Sequence, residues 1–367
     1  MKRPFFFILG FFGAGGIFFF TVFSREAPFR TEWSHVFARE EKIVRESPDP
    51  GGRSGESESS TSKGKSVEEN SESPEELPPA SPLSFESREH ATEFRPLRKE
   101  GISDLEVPSA HASIVMDAES GIVLQEKQAH TRRQIASLTK LMTAMITVER
   151  ISDLDQPVTI DGEVMRTAGT RVGCPRSGFC NGVRLQEGEH ITVRNLLKAA
   201  LMNSANDAAL ALAKHVAGSP EAFVEIMNAR ARSIGLQNTN FCTPSGLEPE
   251  GREAECYSSA FDVARIASRA LQYDILWELA RTPKETISSV DGRYAHEIFN
   301  TDQLLGTFPD LVGAKTGFTP LAGYSLLAVS FDPTREHRVV SVVLNDPERW
   351  SSVKRMFAWA FESHYWR

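Results

Sequence analysis

The strongest constraint on what this chain can fold into is a long stretch of biased composition, residues 25–104 of 367. Ser, Glu, Pro and Gly dominate it, and large apolar side chains are almost absent from residues 47–79. A stretch of this kind cannot bury enough apolar surface to offset the entropy cost of ordering its backbone. The sequence therefore predicts a disordered acidic tether at residues 25–104 and limits the packed core to residues 105–367.

An almost wholly apolar run precedes the tether. Lys2 and Arg3 are followed by an uncharged segment, residues 4–24, which as a helix is about as long as a bilayer core is thick. Two interpretations stay open, an uncleaved membrane anchor and a cleaved signal peptide. The anchor is favoured because signal h-regions usually run only about 7–15 residues. Both interpretations place the rest of the chain outside the cytoplasm, in the periplasm or on the cell-wall side of the cytoplasmic membrane.

Composition argues against two classes of function. The formal net charge is −8 and no basic patch is evident, so nucleic-acid binding is not expected. The nine histidines are scattered without the spacing of metal ligands, which disfavours a metal enzyme. We therefore expect neither a metal nor another cofactor.

All four cysteines lie in the part of the chain that is expected to fold, and their even number favours disulfides in an exported protein. Four cysteines allow three connectivities. The preferred interpretation pairs Cys174 with Cys180 and Cys242 with Cys256, because each pair lies within one loop-like segment. A zinc site is disfavoured because neither spacing resembles Cys-x-x-Cys.

The order of apolar patterns predicts an α+β fold with strands at both ends of the domain and helices in its middle. The predicted strands are residues 113–117, 122–125, 311–315, 323–331 and 338–344. The predicted helices are residues 137–150, 193–202, 205–216, 220–234, 260–271 and 351–361. We expect one antiparallel sheet of about five strands flanked by the terminal helices, a separate helical lobe, and a ligand cleft between them.

Three short motifs follow one another along this domain: Ser-Leu-Thr-Lys at residues 137–140, Ser-Ala-Asn at 204–206 and Lys-Thr-Gly at 315–317. At the start of a predicted helix, Lys140 lies one turn from the hydroxyl of Ser137. A strand places residues 315 and 317 on the same side, where a lysine can hold a carboxylate and a glycine lets a substrate backbone approach. Together the motifs supply a nucleophile, a base and a carboxylate-binding cation.

Each motif has a plainer structural explanation. The pattern Ser-x-x-Lys also occurs at residues 60–63, 62–65 and 351–354, so the string by itself carries no information. Ser137 can be an ordinary N-cap of its helix. The Ser-Ala-Asn motif can be a helix break with a cap, and the Lys-Thr-Gly motif can be the end of a strand followed by a turn. The functional interpretation depends on the position, the order and the flanking residues of all three motifs.

The flanking residues carry a specific resemblance. Residues 136–143, 202–209 and 313–317 resemble the active-site segments of D-alanyl-D-alanine carboxypeptidases, the low-molecular-mass penicillin-binding proteins. Residues 235–239 and 244–247 resemble the connection in the helical lobe of that family. The resemblance spans residues 105–367 and implies the fold of the β-lactamase and transpeptidase superfamily.

The resemblance also implies a mechanism. Such an enzyme removes the terminal D-Ala from peptidoglycan stem pentapeptides through a serine acyl-enzyme and is acylated by β-lactams. The implied roles are nucleophile for Ser137, neutral base for Lys140, proton relay for Ser204, substrate-amide ligand for Asn206, oxyanion hole for the backbone N–H groups of Ser137 and Phe318, and substrate binding for Lys315, Thr316, Gly317 and, by a weaker match, Arg349. An ordinary surface arginine is the alternative for Arg349.

Two departures from the family pattern stand out. Ile135 occupies the position where a proline is usual, and residues 169–181 resemble an inserted, cysteine-bearing loop that we expect to border the cleft. Three alternative functions stay open: a D,D-endopeptidase acting on cross-links, a β-lactamase and a catalytically silent wall-binding module. The β-lactamase is disfavoured because none of the loop glutamates, at 248, 250, 253 and 255, lies in the Glu-x-x-Leu-Asn context.

Overall fold

The structure, a computed structural model, describes residues 95–174 and 182–367. The predicted anchor or signal segment, residues 1–24, and residues 25–94 of the predicted tether lie outside the described residues. Within the described ranges, no helix combines the length and the apolar character needed to cross a membrane.

Eleven strands and eight α-helices make up the described part of the chain. The strands are β1 (Pro96–Arg98), β2 (Ala112–Asp117), β3 (Val123–Lys127), β4 (Pro157–Thr159), β5 (His190–Thr192), β6 (Lys284–Ser288), β7 (Ala295–Phe299), β8 (Leu311–Gly317), β9 (Ser325–Phe331), β10 (Arg338–Leu344) and β11 (His364–Trp366). The helices are α1 (Lys140–Arg150), α2 (Gly162–Met165), α3 (Val193–Leu201), α4 (Asn206–Ala217), α5 (Pro220–Ser233), α6 (Ala260–Ala270), α7 (Asp274–Ala280) and α8 (Arg349–Ser363).

A five-stranded antiparallel sheet lies at the centre, in the order β3-β2-β10-β9-β8. Its middle strand is buried on both faces. Val340 and Val342 of β10 belong to the core shared with the helices α1, α3, α4 and α6. On the opposite face, Val339 and Val343 join the core formed with Val353 and other residues of the closing helix α8. Because apolar branched residues occupy both faces, residues 339–344 of the strand form an apolar run that only Ser341 interrupts. The predicted α+β class is confirmed.

The helices α1, α3, α4, α5 and α7 form the helical lobe, with α1 packed against α3 and α4. Helix α7 lies against β8, the last strand of the sheet order. The helical lobe and β8 therefore meet at the edge of the sheet, where the cleft was expected.

Three short strand pairs were not predicted: β1 with β11, β4 with β5, and β6 with β7. Strands of three to five residues carry too few alternations to stand out from loops. The first pair also brings Pro96–Arg98, inside the range predicted as tether, into register with His364–Trp366 at the other end of the chain. The described fold thus includes residues before 105, ordered by a contact distant in sequence.

Candidate active site

The predicted nucleophile lies in a 3₁₀ turn and not in the first turn of the α-helix. The turn spans Ala136–Thr139, and α1 begins at Lys140. Neither helix start has a side-chain cap hydrogen bond, so Ser137 is not the N-cap that the plainer interpretation requires. The turn still places the serine and the lysine within contact of one another, as the spacing predicts.

The backbone of this turn is in close contact with two glycines, Gly246 and Gly317. Ala136 has a positive φ of 48°, a region that costs a non-glycine residue about 1–2 kcal/mol. A Cβ at Gly246 would lie 1.9 Å from Ala136 O, and one at Gly317 would lie 2.7 Å from Ile135 O. We call this turn, together with Ile135 before it, the serine turn. The expectation that Gly317 makes room for substrate is therefore incomplete, because the atoms that exclude a side chain there belong to Ile135 and Leu138 of the serine turn.

Lys140 lies at the centre of the site and its side chain is fully buried. Its Nζ is 2.8 Å from Ser137 Oγ, 2.6 Å from Asn206 Oδ1 and 2.8 Å from Ser245 O. The first two motifs thus meet through the lysine. The third contact is the backbone carbonyl of Ser245, within residues 244–247, a segment that carried the family resemblance but had no role assigned to it.

The chemistry of these three partners determines where a neutral Lys140 presents its lone pair. Asn206 Oδ1 and Ser245 O can only accept hydrogen bonds, whereas the hydroxyl of Ser137 can donate or accept. A neutral amine has two N–H groups, which the two obligate acceptors take up. The lone pair is then left for Ser137 Oγ–H, which is the orientation that a general base requires.

The electrostatic environment favours that neutral form. Burial lowers the pKa of Lys140 well below its ordinary value, and the positive charge of Lys315 lowers it further. The carboxylate of Asp207 acts in the opposite direction. Since desolvation is the leading cause, the lowered pKa of Lys140 depends on exclusion of water from the site.

The second and third motifs meet through Ser204 and Lys315. Lys315 Nζ donates to Ser204 Oγ at 2.9 Å and to Thr316 O at 3.0 Å. Ser204 has a positive φ of 57°, which places its side chain beside β8 instead of continuing a helix. The hydroxyl of Thr316 is 2.7 Å from that of Thr301. The predicted motif residues therefore form two hydrogen-bonded groups, one around Lys140 and one around Lys315, and the charge of Lys315 acts on Lys140.

Asn206 contacts the start of the predicted insertion, residues 169–181, and Ala168, the residue before it. Asn206 Nδ2 donates to Ala168 O at 2.9 Å, and its backbone N–H donates to Thr170 O at 2.7 Å. Gly169, at a φ of 76°, leaves no space for a Cβ, which would lie 2.6 Å from Asn206 Nδ2. This segment fixes the orientation of the amide whose oxygen faces Lys140.

Two buried carboxylates beside the site were not predicted. Asp207 accepts hydrogen bonds from the backbone N–H groups of Val172 and Ala208, and burial raises its pKa to about 6. Burial likewise raises the pKa of Asp302 to about 6, against the effect of the Leu304 N–H. Asp207 directly follows the Ser-Ala-Asn motif, so its position in the sequence could have indicated that it lies beside the site. Asp302 has no neighbouring motif.

Phe318 and Arg349 are joined by an aromatic contact. The ring of Phe318 lies 4.6 Å from that of Tyr324, and the guanidinium of Arg349 lies 4.7 Å from the Tyr324 centroid. Only 8% of Arg349 is exposed, so it is not an ordinary surface arginine. The structure places it beside the residue that follows the third motif.

The predicted pairing of Cys242 with Cys256 is confirmed by a disulfide. It closes the segment that contains Ser245 and Gly246, two residues in contact with the serine turn or with Lys140. The other predicted pair stays a prediction, because Cys180 lies outside the described residues.

Comparison with known proteins agrees with this geometry. Residues 100–348 match the D-alanyl-D-alanine carboxypeptidase family, peptidase S11. The chain is 32% identical over 259 residues to D-alanyl-D-alanine carboxypeptidase DacF of Bacillus subtilis, covering 70% of this chain and 63% of the relative. It is also 32% identical over 238 residues to a D-alanyl-D-alanine endopeptidase of Pseudomonas aeruginosa, covering 65% of this chain and 72% of the relative.

Solved structures extend the similarity to the fold. The crystal structure of a D-alanyl-D-alanine carboxypeptidase from Mycobacterium tuberculosis superimposes with a TM-score of 0.63 at 27% identity, over 72% of this chain and 96% of that one. The chain spans less than two thirds of the length of DacF. Because the family match covers well over half of its residues and includes all three motifs, the chain belongs to the D-alanyl-D-alanine carboxypeptidase family.

Proposed function

We propose that this protein is a serine D-alanyl-D-alanine carboxypeptidase that removes the terminal D-Ala from peptidoglycan stem pentapeptides through an acyl-enzyme on Ser137. The observation that supports this most directly is the buried amine of Lys140, held by two obligate acceptors and facing Ser137 Oγ at 2.8 Å. A lysine buried in this way serves as a base instead of forming a surface ion pair.

Acylation follows from that arrangement. Ser137 Oγ transfers its proton to the lone pair of Lys140 and attacks the carbonyl carbon of the penultimate D-Ala. The oxyanion forms beside the backbone N–H groups of Ser137 and Phe318, at the start of a helical turn and at the end of β8. As the peptide C–N bond breaks, the leaving amine takes up a proton, which reaches it from Lys140 through the hydroxyl of Ser204.

Deacylation reverses the roles of the same groups. A water molecule gives a proton to the again neutral Lys140 and attacks the ester carbonyl. The tetrahedral intermediate then collapses, and Ser137 Oγ leaves and regains its proton. The shortened peptide is released with a new terminal carboxylate.

Substrate binding uses the free side of β8, which ends the sheet order. An extended peptide can add to such an edge by main-chain hydrogen bonds. Lys315 and Thr316 hold the terminal carboxylate, and the charge of Arg349 reinforces the positive potential at this end of the strand. Asn206 Nδ2 carries two hydrogens, one given to Ala168 O, so the other can donate to a substrate amide carbonyl.

The same site accounts for acylation by β-lactams, and the location of the substrate indicates where the enzyme acts. A β-lactam presents a carboxylate near an acylating carbonyl, so it acylates Ser137 with its carboxylate on Lys315. The peptidoglycan substrate lies outside the cytoplasm, where the predicted N-terminal segment directs the domain. Anchoring to the cytoplasmic membrane by residues 1–24 is part of this proposal.

A D,D-endopeptidase is the second candidate, and one observation favours it. The relative from Pseudomonas aeruginosa that carries this name is as identical to the chain as DacF is, at 32%. Cleavage of a cross-link needs the same nucleophile and base, with a longer leaving group. The two activities therefore differ in the substrate accepted beyond the scissile bond.

The test compares three substrates on the purified protein: a labelled penicillin, a stem pentapeptide and a cross-linked peptide dimer. We expect a stable penicillin adduct and release of D-Ala from the pentapeptide, both abolished in Ser137→Ala. Ser351→Ala is the matched control, because Ser351 begins another Ser-x-x-Lys string but is exposed on α8. Rapid turnover of penicillin would indicate a β-lactamase, and cleavage confined to the dimer an endopeptidase. Absence of an adduct and of cleavage would leave the silent wall-binding module.

A further inference from the structure

Glu248 connects the loop that holds the base to the strand that binds substrate. Its Oε1 accepts a hydrogen bond from Thr319 Oγ1 at 2.8 Å. Glu248 follows Ser245, whose carbonyl contacts Lys140, by three residues. Thr319 follows Gly317, the end of β8, by two residues. The carboxylate therefore lies at the rim of the proposed substrate groove, in a partly exposed position.

Among the described residues, the Thr319 hydroxyl is the hydrogen-bond donor to the Glu248 carboxylate. No salt bridge within residues 95–174 and 182–367 involves this carboxylate. Glu255, on the same loop, pairs with Arg252 at 2.7 Å. A half-buried carboxylate that has one neutral donor and no cation has capacity for a positively charged ligand.

The direction of the bound peptide brings such a ligand to Glu248. With the terminal carboxylate on Lys315 and Thr316 and the reacting carbonyl at the Phe318 N–H, the peptide runs antiparallel to β8. An extended chain advances about 3.3 Å per residue. The residue before the reacting D-Ala, third from the C-terminus of the substrate, then lies beside Thr319 and within reach of Glu248.

We propose that Glu248 binds a cationic amine on the side chain of that third-from-last residue and makes the enzyme prefer peptides that carry one. This inference rests on the proposed function, because it takes the position of the peptide from the carboxypeptidase mechanism. Glu248 is then a residue that determines specificity, separate from the groups that perform acylation. Its hydrogen bond to Thr319 holds the carboxylate toward the groove.

The test uses two substrates that differ in one charge: Nα-acetyl-L-lysyl-D-alanyl-D-alanine with its side-chain amine either free or acetylated. D-Ala release is measured for the wild type, Glu248→Gln and Glu250→Gln. The glutamine keeps an oxygen for Thr319 and removes only the charge. Glu250 is an exposed glutamate on the same loop and serves as the matched control.

We expect the wild type to prefer the free-amine peptide by about two- to fivefold in kcat/KM, the range of one partly exposed ion pair. Glu248→Gln should abolish that preference by raising KM for the free-amine peptide, with the acetylated peptide unaffected. Glu250→Gln should behave as the wild type does. The preference should also decline as ionic strength rises.

Equal losses on both peptides in Glu248→Gln would overturn the inference, since they would show a structural role through Thr319. A preference that survives the substitution would overturn it as well. Release of D-Ala from neither peptide by the wild type would instead overturn the proposed function on which it rests. The charge effect and the activity itself are thus distinguished by separate measurements.

Discussion

Lys315 Nζ lies 2.9 Å from Ser204 Oγ, and this contact joins the last strand of the sheet order to the helical lobe. One cation consequently has two effects. Its field lowers the pKa of Lys140, the proposed base, and in the proposed mechanism it also holds the substrate carboxylate. The proposal thus couples substrate binding and activation of the nucleophile through one side chain.

Replacing Lys315 by Met should separate these effects by their pH dependence. Without the neighbouring positive charge the pKa of Lys140 rises, so a smaller fraction is neutral at any given pH. The acid limb of the acylation rate should move to higher pH. Loss of the carboxylate contact should also lower kcat/KM for the peptide about 10–100-fold.

The measurement is the rate of labelling by penicillin as a function of pH. Lys284→Met is the control, because Lys284 is an exposed lysine paired with Glu297 away from Lys140. An acid limb that stays in place in Lys315→Met would contradict the coupling, even if the rate falls at every pH.

Asp207 should make the stability of the fold depend on pH in a defined direction. Its pKa is raised from 3.8 to about 6, so between these values the folded state holds a proton that the unfolded state has lost. The raised pKa therefore contributes fully to the free energy of unfolding below pH 3.8. This contribution decreases as the pH rises from 3.8 and is lost above pH 6. At neutral pH the loss amounts to about 3 kcal/mol.

Asp207→Asn removes this pH dependence. The difference in unfolding free energy between variant and wild type should change in favour of the variant as pH rises from 4.5 to 7, by about 2 kcal/mol. Urea unfolding at the two pH values measures it. Asp274→Asn, at an exposed aspartate, should show no such change. An Asp207→Asn difference independent of pH would disprove the assignment.

The contacts between motifs were predictable because their side chains carry recognisable chemistry. Ser137, Lys140, Ser204, Asn206 and Lys315 were all named from the sequence. The structure joins the first, second and fourth by hydrogen bonds and the other two by another, and the charge of Lys315 acts on Lys140. The apolar patterns of long strands and helices likewise predicted the five-stranded sheet and most of the helical lobe.

What escaped prediction depends on backbone atoms and on contacts distant in sequence. The carbonyl of Ser245 holds Lys140, but a carbonyl belongs to every residue and leaves no mark on the sequence. Asp302 is buried by the packing of segments that its local sequence does not specify. Gly317 was assigned to substrate access, since nothing local indicates that the serine turn lies against it.

The disulfide Cys242–Cys256 should stabilise both the fold and the site. Its sequence separation is 14, and a loop of about that length contributes about 3 kcal/mol in the chain-entropy description. Because the loop carries Ser245, its loosening should also weaken the hold on Lys140 and slow acylation. The double variant Cys242→Ser, Cys256→Ser should lose this stability in urea unfolding. Unchanged stability and unchanged labelling by penicillin would contradict both expectations.

Gly246 offers the sharpest test of the clamp on the serine turn. Alanine at this position has a φ of 82° and a Cβ 1.9 Å from Ala136 O, so either the loop or the turn must shift. Gly251→Ala is the matched control, because Gly251 has a φ of 77° and no atom within 4 Å of a Cβ. Both variants incur the strain of a positive φ, about 1 kcal/mol, whereas Gly246→Ala should lose about 2–4 kcal/mol and most of its acylation rate. Urea unfolding measures the loss of stability, and penicillin labelling measures the loss of acylation rate. Equal losses in the two variants would show that the contact of Gly246 with Ala136 does not hold the proposed nucleophile in place.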